Sequence, residues 1–334
     1  RARGRRRRGS MARGSRAEDE KYRYAAENER GVSQMSFTYQ ERTNPDRVEV
    51  RQEGIWIATF TMHCYTVTLA GPTRTFSEAF RTGGTTRTVS VTHAKWVRAA
   101  PGPADETIDE RWLACALAAN EAGTPDALAI AMQYLKGAPP LLEGDLQIAG
   151  DASYGPLLPS GKRDEGADFN DYLGLRWLYP TEAADKPEPA QYRCLDCSGF
   201  MRMLWGYRHH LPGAGYPDTI PVSRRPRSNS TLPRRSFEIY AGATGIILVP
   251  DTGAQVIDLD PLDVGDLVFF DASSDDEDRL DHVGMYLGTD PSGAHRFISS
   301  RKNPDGPTFA DKGGPSILSG DHDYAKAFRA VTRL

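Results

Sequence analysis

The sequence predicts an α+β fold in which helices pack on an antiparallel sheet, preceded by a small β-rich amino-terminal region. Three observations support this fold class. Residues 46–100 hold runs of β-branched and aromatic residues, and residues 110–135 and 196–207 carry apolar residues at helical spacing. Residues 265–300 alternate between apolar and polar types, with turn signals between the runs. A chain of 334 residues accommodates two ordinary domains or one elaborated domain.

The charge distribution argues against nucleic acid as a partner. Residues 1–16 carry eight arginines and no acidic residue, whereas the rest of the chain carries 33 basic against 45 acidic side chains. The arginine-rich start is of low complexity, and we expect residues 1–30 to be a disordered tail: a solvated or artefactual segment, or a basic arm. No apolar segment of an export signal follows it, and no run of about 18 apolar residues predicts a membrane span.

A β-rich amino-terminal module is predicted over residues 31–103. Its strands are expected near 48–50, 55–60, 65–69 and 87–92, where β-branched and aromatic residues cluster. Pro101-Gly102-Pro103 marks its end. The module is either a binding or docking unit or a structural extension packed on the main domain.

Two helices follow the amino-terminal module. The first is predicted from Glu110 to Ala122, with apolar residues on one side. The second is predicted from Ala127 to Leu135, with Thr124 as N-cap and Pro125 at the first helical position. Residues 141–190 then lack a regular pattern, and a stretch of that length is typical of an insertion or a functional loop.

Cys197 is predicted to stand at the start of a helix. Asp196 is a good N-cap, and Phe200, Met203, Leu204 and Tyr207 recur at helical spacing behind it. The positive end of a helix dipole favours a thiolate, the nucleophilic form of cysteine. The alternative is a buried structural cysteine beside a capping aspartate.

Cys194 and Cys197 form a C-x-x-C pair, which raises the alternative of a structural zinc site. Such a site needs a second cysteine pair or two suitably placed histidines, and the other cysteines, Cys64 and Cys115, are single and far apart. We therefore expect no metal and no cofactor.

A candidate base for the thiol lies in the predicted meander of three antiparallel strands. Its middle strand begins at His282, which shares one face with Gly284 and Tyr286, while Val283, Met285 and Leu287 form an apolar face. Histidine can take the proton of a cysteine and return it to a leaving amine near neutral pH. A lone strand histidine is often structural, but one downstream of a helix-start cysteine is a candidate general base.

Three segments in this order resemble the NlpC-type peptidoglycan endopeptidase family of papain-like cysteine peptidases: Asp196-Cys197-Ser198-Gly199-Phe200, residues 265–270 and residues 282–288. The resemblance implies a papain-like core over residues 104–334, with insertions at 141–190 and 208–262. It leaves the first hundred residues outside.

The resemblance also implies roles for individual residues. Cys197 matches the nucleophile, His282 the base, and Asp196 and Ser198 match residues that shape the substrate pocket. The third polar member, which orients the imidazole in the family, is matched by Ser299, with His295 on the same strand face as the alternative. A family tyrosine after the first helix has no direct match. Pro140 stands nearest its position, and Tyr154 or Trp177 are possible replacements.

The function implied is hydrolysis of an amide in a bacterial cell-wall stem peptide, between D-glutamate and the diamino acid, through a thioester on the cysteine. The partner is then the peptidoglycan stem peptide, and the expected location is extracellular or cell-wall associated. Two alternatives stay open: a Cys–His amidase or acyltransferase on another substrate, and a non-catalytic binding protein on the same fold. The oligomeric state is not predicted.

Overall fold

The computed structural model describes residues 36–105, 107–177, 185–208, 234–242, 245–273 and 279–334. The predicted tail at residues 1–30 and the middle of the insertion at 208–262 lie outside these ranges. The predicted α+β class is confirmed: antiparallel sheets carry the fold, and the helices are short.

The amino-terminal region forms a five-stranded antiparallel sheet in chain order, which confirms its predicted β character. The strands are β1 (Phe37–Arg42), β2 (Arg47–Gln52), β3 (Ile55–Thr61), β4 (Thr66–Thr82) and β5 (Thr85–Ala99). The last two are 17 and 15 residues long and are joined by Gly83-Gly84, both at positive φ, as a tight hairpin requires. Sequence patterning did not predict that length.

Two helices follow this sheet. Helix α1 (Glu110–Glu121) begins at the N-cap Asp109 and buries Trp112 against Phe60 of the sheet, with ring centroids 6.0 Å apart. Helix α2 (Ala127–Met132) is shorter than predicted. The predicted N-cap Thr124 is wrong: Asp126 caps α2, because its carboxylate accepts the Ala129 N–H.

The first insertion contains some regular structure. It holds a two-stranded hairpin, β6 (Leu141–Glu143) with β7 (Leu146–Ala149), and helix α3 (Phe169–Leu173). Asp168 and Asp171 form a capping box at the start of α3. The Asp168 carboxylate accepts the backbone N–H of Asp171, and the Asp171 carboxylate accepts the backbone N–H of Asp168.

The central sheet has six strands in the order β12, β11, β10, β9, β13, β8, all antiparallel. The three predicted strands of the meander are confirmed as its middle. The bounds are β8 (Ile246–Val249), β9 (Leu267–Phe270), β10 (His282–Thr289), β11 (His295–Arg301), β12 (Gly306–Thr308) and β13 (Phe328–Arg333). Helix α4 (Cys197–Arg202) continues as a π-helical turn over Met203–Tyr207. The two remaining α-helices that the structure describes are α5 (Ser236–Gly242) and α6 (Asp323–Ala327).

The two sheets share a core within the compact unit of residues 37–334. Phe80, Val89 and Val91 of the long hairpin join the apolar cluster that also holds Phe200 of α4 and Val283 of β10. This packing matches the structural-extension alternative. The domain boundaries at residues 30 and 103 stay predictions.

Two groups of buried polar contacts accompany this packing. Glu78 on β4 is buried and accepts hydrogen bonds from the backbone N–H groups of Phe309 and Ala310, at 2.9 and 3.0 Å. Arg333 on β13 pairs with Asp266 through two contacts of 2.7 and 2.8 Å and also reaches Thr61 of β3. Both groups of contacts join residues of the amino-terminal sheet to residues of the carboxyl-terminal half of the chain.

Candidate active site

The segment around Cys197 folds as its sequence predicts. Asp196 is the N-cap of α4, and its carboxylate accepts the Gly199 N–H at 2.7 Å and the Ser198 hydroxyl at 3.0 Å. Gly199 lies so close to the preceding chain that a Cβ there would stand 2.3 Å from the Ala167 carbonyl oxygen. The glycine is therefore required by the close approach of residues 167–168, as the sequence suggested for this position.

Cys197 is the first residue of α4, and only 6% of it is exposed. Its Sγ lies 3.8 Å from the carbonyl oxygen of Asp281, the residue that precedes His282. Burial raises the pKa of the thiol well above its ordinary value, and the nearby Asp196 carboxylate raises it further. Burial therefore outweighs the effect of the helix dipole, and the side chain is a neutral thiol at physiological pH.

His282 is the first residue of β10 and lies in an aromatic setting. Its ring centroid is 5.7 Å from that of Phe270 and 5.3 Å from that of Tyr324. Its Nε2 atom is buried and has no hydrogen-bond partner among the residues that the structure describes. Burial, followed by the charges of Arg301 and Lys302, lowers the pKa of the imidazole to about 3. The ring is therefore neutral at physiological pH, as a general base must be.

The structure brings Cys197 and His282 into the same region, because α4 packs against β10 and Cys197 contacts the backbone next to His282. It does not join their side chains: between these two described residues there is no hydrogen bond. Catalytic hydrogen bonds are often long or unformed without substrate, so this geometry describes a resting arrangement.

Ser299, the predicted third member, is fully buried on β11, where it pairs with Thr308 of β12. Its hydroxyl accepts a hydrogen bond of 3.1 Å from Nε of Arg301 and is not hydrogen-bonded to Nε2 of His282. The alternative, His295, pairs with Thr289 at the far end of β10 and bonds the Tyr286 hydroxyl at 2.8 Å. His295 is therefore too far along the strand to orient His282.

A cavity of about 680 Å³ opens beside Cys197. Cys197, Asp196 and Ser198 line it, so the two predicted substrate-pocket residues do face a space that can hold a ligand. The remaining wall is strongly charged and comes mainly from the first insertion and from α5 and its flanks: Glu165, Asp168, Arg234, Arg235, Glu238, Arg279 and Asp281. Burial raises the pKa of Asp196 to about 6.

Of the proposed substitutes for the family tyrosine, Tyr154 reaches the site and Trp177 does not. Tyr154 lines the cavity, and the charge of Cys197 contributes to raising the pKa of its phenol, after burial. Trp177 packs edge-on against Phe169, with ring centroids 5.0 Å apart, within the apolar core. Tyr154 is brought there because Ser153 bridges to Cys194 just before α4.

Sequence reasoning missed Tyr324 and Arg301. Arg301 is a fully buried arginine at the end of a strand, and a charged residue in a buried strand is a usable signal for a functional or structural role. Tyr324 could not be identified from the sequence, because it follows an irregular segment. Its contact with His282 depends on the path that the chain takes before β13.

Cys194 does not share a metal site with Cys197 in the part of the chain that the structure describes, where no group of three or more suitable ligands occurs. Burial raises the pKa of the Cys194 thiol to about 11, with Asp305 adding to the effect.

Helices packed on an antiparallel sheet, with a cysteine at a helix start and a histidine at the start of the adjacent strand, form a papain-like arrangement. Residues 186–304, about a third of the chain, match the model of the NlpC/P60 family, which supports an NlpC-type assignment for this part of the chain. The match includes Cys197, His282 and Ser299. The family supports a cell-wall peptidase type of function in general.

A solved structure from Staphylococcus aureus subsp. aureus Mu50, described as similar to a lipoprotein of the NLP/P60 family, is 19% identical to this chain. The alignment covers 49% of this chain and 38% of that one, with a TM-score of 0.23, so no argument rests on this similarity. No curated protein matches the chain. Within the described residues, no helix combines the length and apolar character needed to cross a membrane.

Proposed function

We propose that the protein is a cysteine peptidase that hydrolyses an amide bond in bacterial cell-wall stem peptides, of the D-glutamyl–diamino acid endopeptidase type. The observation that carries this proposal is the placement of Cys197 at the start of α4, lining a 680 Å³ cavity and in contact with the backbone beside His282. A buried cysteine with a purely structural role would not need an open cavity of that size.

In the proposed reaction His282 takes the thiol proton of Cys197, and the sulfur attacks the amide carbon. Backbone N–H groups at the start of α4 stabilise the oxyanion that forms. The C–N bond then breaks as His282 returns the proton to the leaving amine, and a water activated by His282 hydrolyses the thioester. Because the two side chains are not hydrogen-bonded in the resting structure, the first step requires the thiol and the imidazole to come within hydrogen-bond distance.

The substrate side of the proposal rests on the family and on the cavity. Carboxylates and arginines both line its wall, which suits a short peptide that carries both free amines and carboxylates. Asp196 and Ser198 are the proposed substrate-binding residues. A peptidoglycan stem peptide as substrate places the site of action outside the cell or at the cell wall.

The test is digestion of purified peptidoglycan by the full chain, with the released fragments identified by mass. We expect fragments cut between D-glutamate and the diamino acid, and none from Cys197→Ala. Cys115→Ala is the matched control, since Cys115 lies half-buried on α1, and it should release fragments like the parent. Digestion that survives Cys197→Ala contradicts the proposal.

A second candidate is a non-catalytic peptidoglycan-binding protein. The specific observation in its favour is that the thiol and the imidazole make no hydrogen bond, while the third family position holds a serine bonded to Arg301. Co-sedimentation with peptidoglycan, without any released fragment from the parent protein, would favour this candidate over the peptidase.

A further inference from the structure

A histidine that acts as a base must be held in a defined orientation, and the structure does not use a hydrogen bond for this. Among the described residues the buried Nε2 atom of His282 has no hydrogen-bond partner, and the Ser299 hydroxyl accepts from Arg301 and is not bonded to that atom. Whatever fixes the ring must therefore act by packing or by charge.

The packing comes from two aromatic rings. Phe270 on β9 and Tyr324 on α6 both lie against the imidazole, and their own centroids are 5.4 Å apart. Phe270 is a neighbour on the adjacent strand, where it pairs with His282. Tyr324 comes from a short helix outside the sheet, so its place beside the imidazole needs a separate support.

Arg301 provides that support. Its guanidinium carbon lies 4.3 Å from the centroid of the Tyr324 ring, within cation–π distance. Continuing the β10–β11 register, in which Met285 pairs with Ile298, places Arg301 across from His282. The arginine is 1% exposed and so is held in a fixed position.

The guanidinium is anchored by neutral oxygens. It donates to the Ser299 hydroxyl at 3.1 Å, the Gly314 carbonyl at 3.1 Å and the Lys312 carbonyl at 3.5 Å, and it also bonds the Ser316 hydroxyl at 2.5 Å. Among the described residues no carboxylate lies within ion-pair distance of it. A buried arginine without a paired anion is costly, which points to a role beyond stability.

We infer that Arg301 is a positioning residue for His282, acting through the ring of Tyr324 in place of a polar hydrogen-bond partner. The inference rests on the proposed role of His282 as the base. The imidazole of His282 is then held between the rings of Phe270 and Tyr324, and Arg301 keeps the Tyr324 ring in place by contacting it.

A second effect follows from the charge of Arg301. The titratable and charged groups that surround the imidazole are Cys197 on α4, Asp281 before β10, Arg301 and Lys302 at the end of β11, and Tyr324 on α6. After burial, the two cations are the causes that lower the pKa of His282. The base therefore stays neutral in mildly acidic solution, where an ordinary histidine would be protonated.

The first test is an NMR titration of the His282 ring in the full chain carrying Cys197→Ala. Adding Arg301→Gln should raise the titration midpoint by about one pH unit, while Arg301→Lys, which keeps the charge, should change it by less than about half of that. Arg296→Gln is the matched control, because Arg296 is another buried arginine on β11, paired with Asp290. Its removal should leave the midpoint unchanged.

An unchanged midpoint in folded Arg301→Gln overturns the inference. So does a shift of equal size in Ser299→Ala, because the serine would then be the orienting group. If Arg301→Gln does not fold, Tyr324 carries the test. Tyr324→Leu should move the ring-proton shifts of His282, whereas Tyr324→Phe, which keeps the stacked ring, should preserve them.

Activity provides the last readout. Tyr324→Leu should lower kcat/KM by about tenfold through kcat, and Tyr324→Phe should retain it within about threefold. An unchanged or higher rate in Tyr324→Leu overturns the inference. If the parent protein shows no hydrolysis, the proposed function fails, but the titration and ring shifts still decide whether Arg301 and Tyr324 position His282.

Discussion

The contact between Glu78 and the carboxyl-terminal half of the chain gives a quantitative test of how the long hairpin is attached. The perturbation is Glu78→Ala. The carboxylate is buried and accepts the N–H groups of Phe309 and Ala310, the Thr308 hydroxyl at 3.0 Å and the Lys312 ammonium at 2.7 Å. Its removal leaves the Phe309 N–H and the Thr308 hydroxyl without their acceptor, whereas the Ala310 N–H keeps a second acceptor, the Thr308 hydroxyl oxygen at 3.2 Å.

The expected loss follows from those donors. An unsatisfied buried donor costs roughly 1–3 kcal/mol, so the Phe309 N–H and the Thr308 hydroxyl together should lower the free energy of unfolding by about 4 kcal/mol. The ammonium is partly exposed and can be rehydrated, so it adds little. Glu78→Gln keeps one acceptor oxygen, and its loss should be about half as large.

The assay is equilibrium unfolding in urea, followed by circular dichroism, with the free energy extrapolated to water. Glu121→Ala, which removes an exposed carboxylate at the end of α1, is the control and should change the free energy by less than about 0.5 kcal/mol. A loss below about 1 kcal/mol in Glu78→Ala would refute the reasoning. It would mean that water or another group replaces the carboxylate, and that the hairpin is held by apolar packing alone.

Three further predictions concern the site and its support. Gly199→Ala should lower the free energy of unfolding by about 3 kcal/mol, because the new Cβ would meet the rigid Ala167 carbonyl; urea unfolding measures it. Asp266→Ala should cost about 3–5 kcal/mol, since Arg333 would be left as an unpaired buried cation; the same assay applies. The His282 imidazole takes up a proton below about pH 6.5 in the unfolded chain but only near pH 3 in the folded protein. The free energy of unfolding should therefore fall as the pH decreases between these values. At pH 5 this contribution is about 2 kcal/mol, and a His282→Phe variant should lack it.

Each of these has an opposing outcome. A Gly199→Ala protein as stable as the parent would mean that residues 167–168 can move away from α4. Full stability in Asp266→Ala would mean that Arg333 finds another anion or reaches water. An equal loss of stability between pH 7 and pH 5 in His282→Phe and the parent would show that the imidazole is not the group that takes up the proton.

Local chemistry made part of the site predictable. The N-cap at Asp196 and the apolar spacing behind it predicted helix α4 and the place of Cys197, because capping depends on neighbouring residues. Alternation predicted the strands that carry His282 and Ser299, although both faces of each strand are buried, each face in a different apolar cluster. These features need no knowledge of distant parts of the chain.

The rest depended on contacts between distant residues. The sequence offered His295 as an alternative to Ser299 for orienting the His282 ring. The register set by the turn after Thr289 places His295 at the opposite end of β10 from His282. The stack of Tyr324 on His282 and the burial of Glu78 against Phe309 join residues with no shared local pattern. Side-chain rotation of the imidazole is likewise decided by packing, which the order of residues does not record.

Strand β13 lies between β9 and β8, in the interior of the central sheet, although it is the last strand along the chain. During synthesis β9 is therefore made well before its partner, and its edge stays unpaired until residues 328–333 have left the ribosome. The nascent sheet is exposed to wrong pairing for that interval, and closing it requires contacts between residues far apart in sequence, which form slowly. A chaperone that shields β9 until the carboxyl-terminal strand arrives would raise the yield of folded protein.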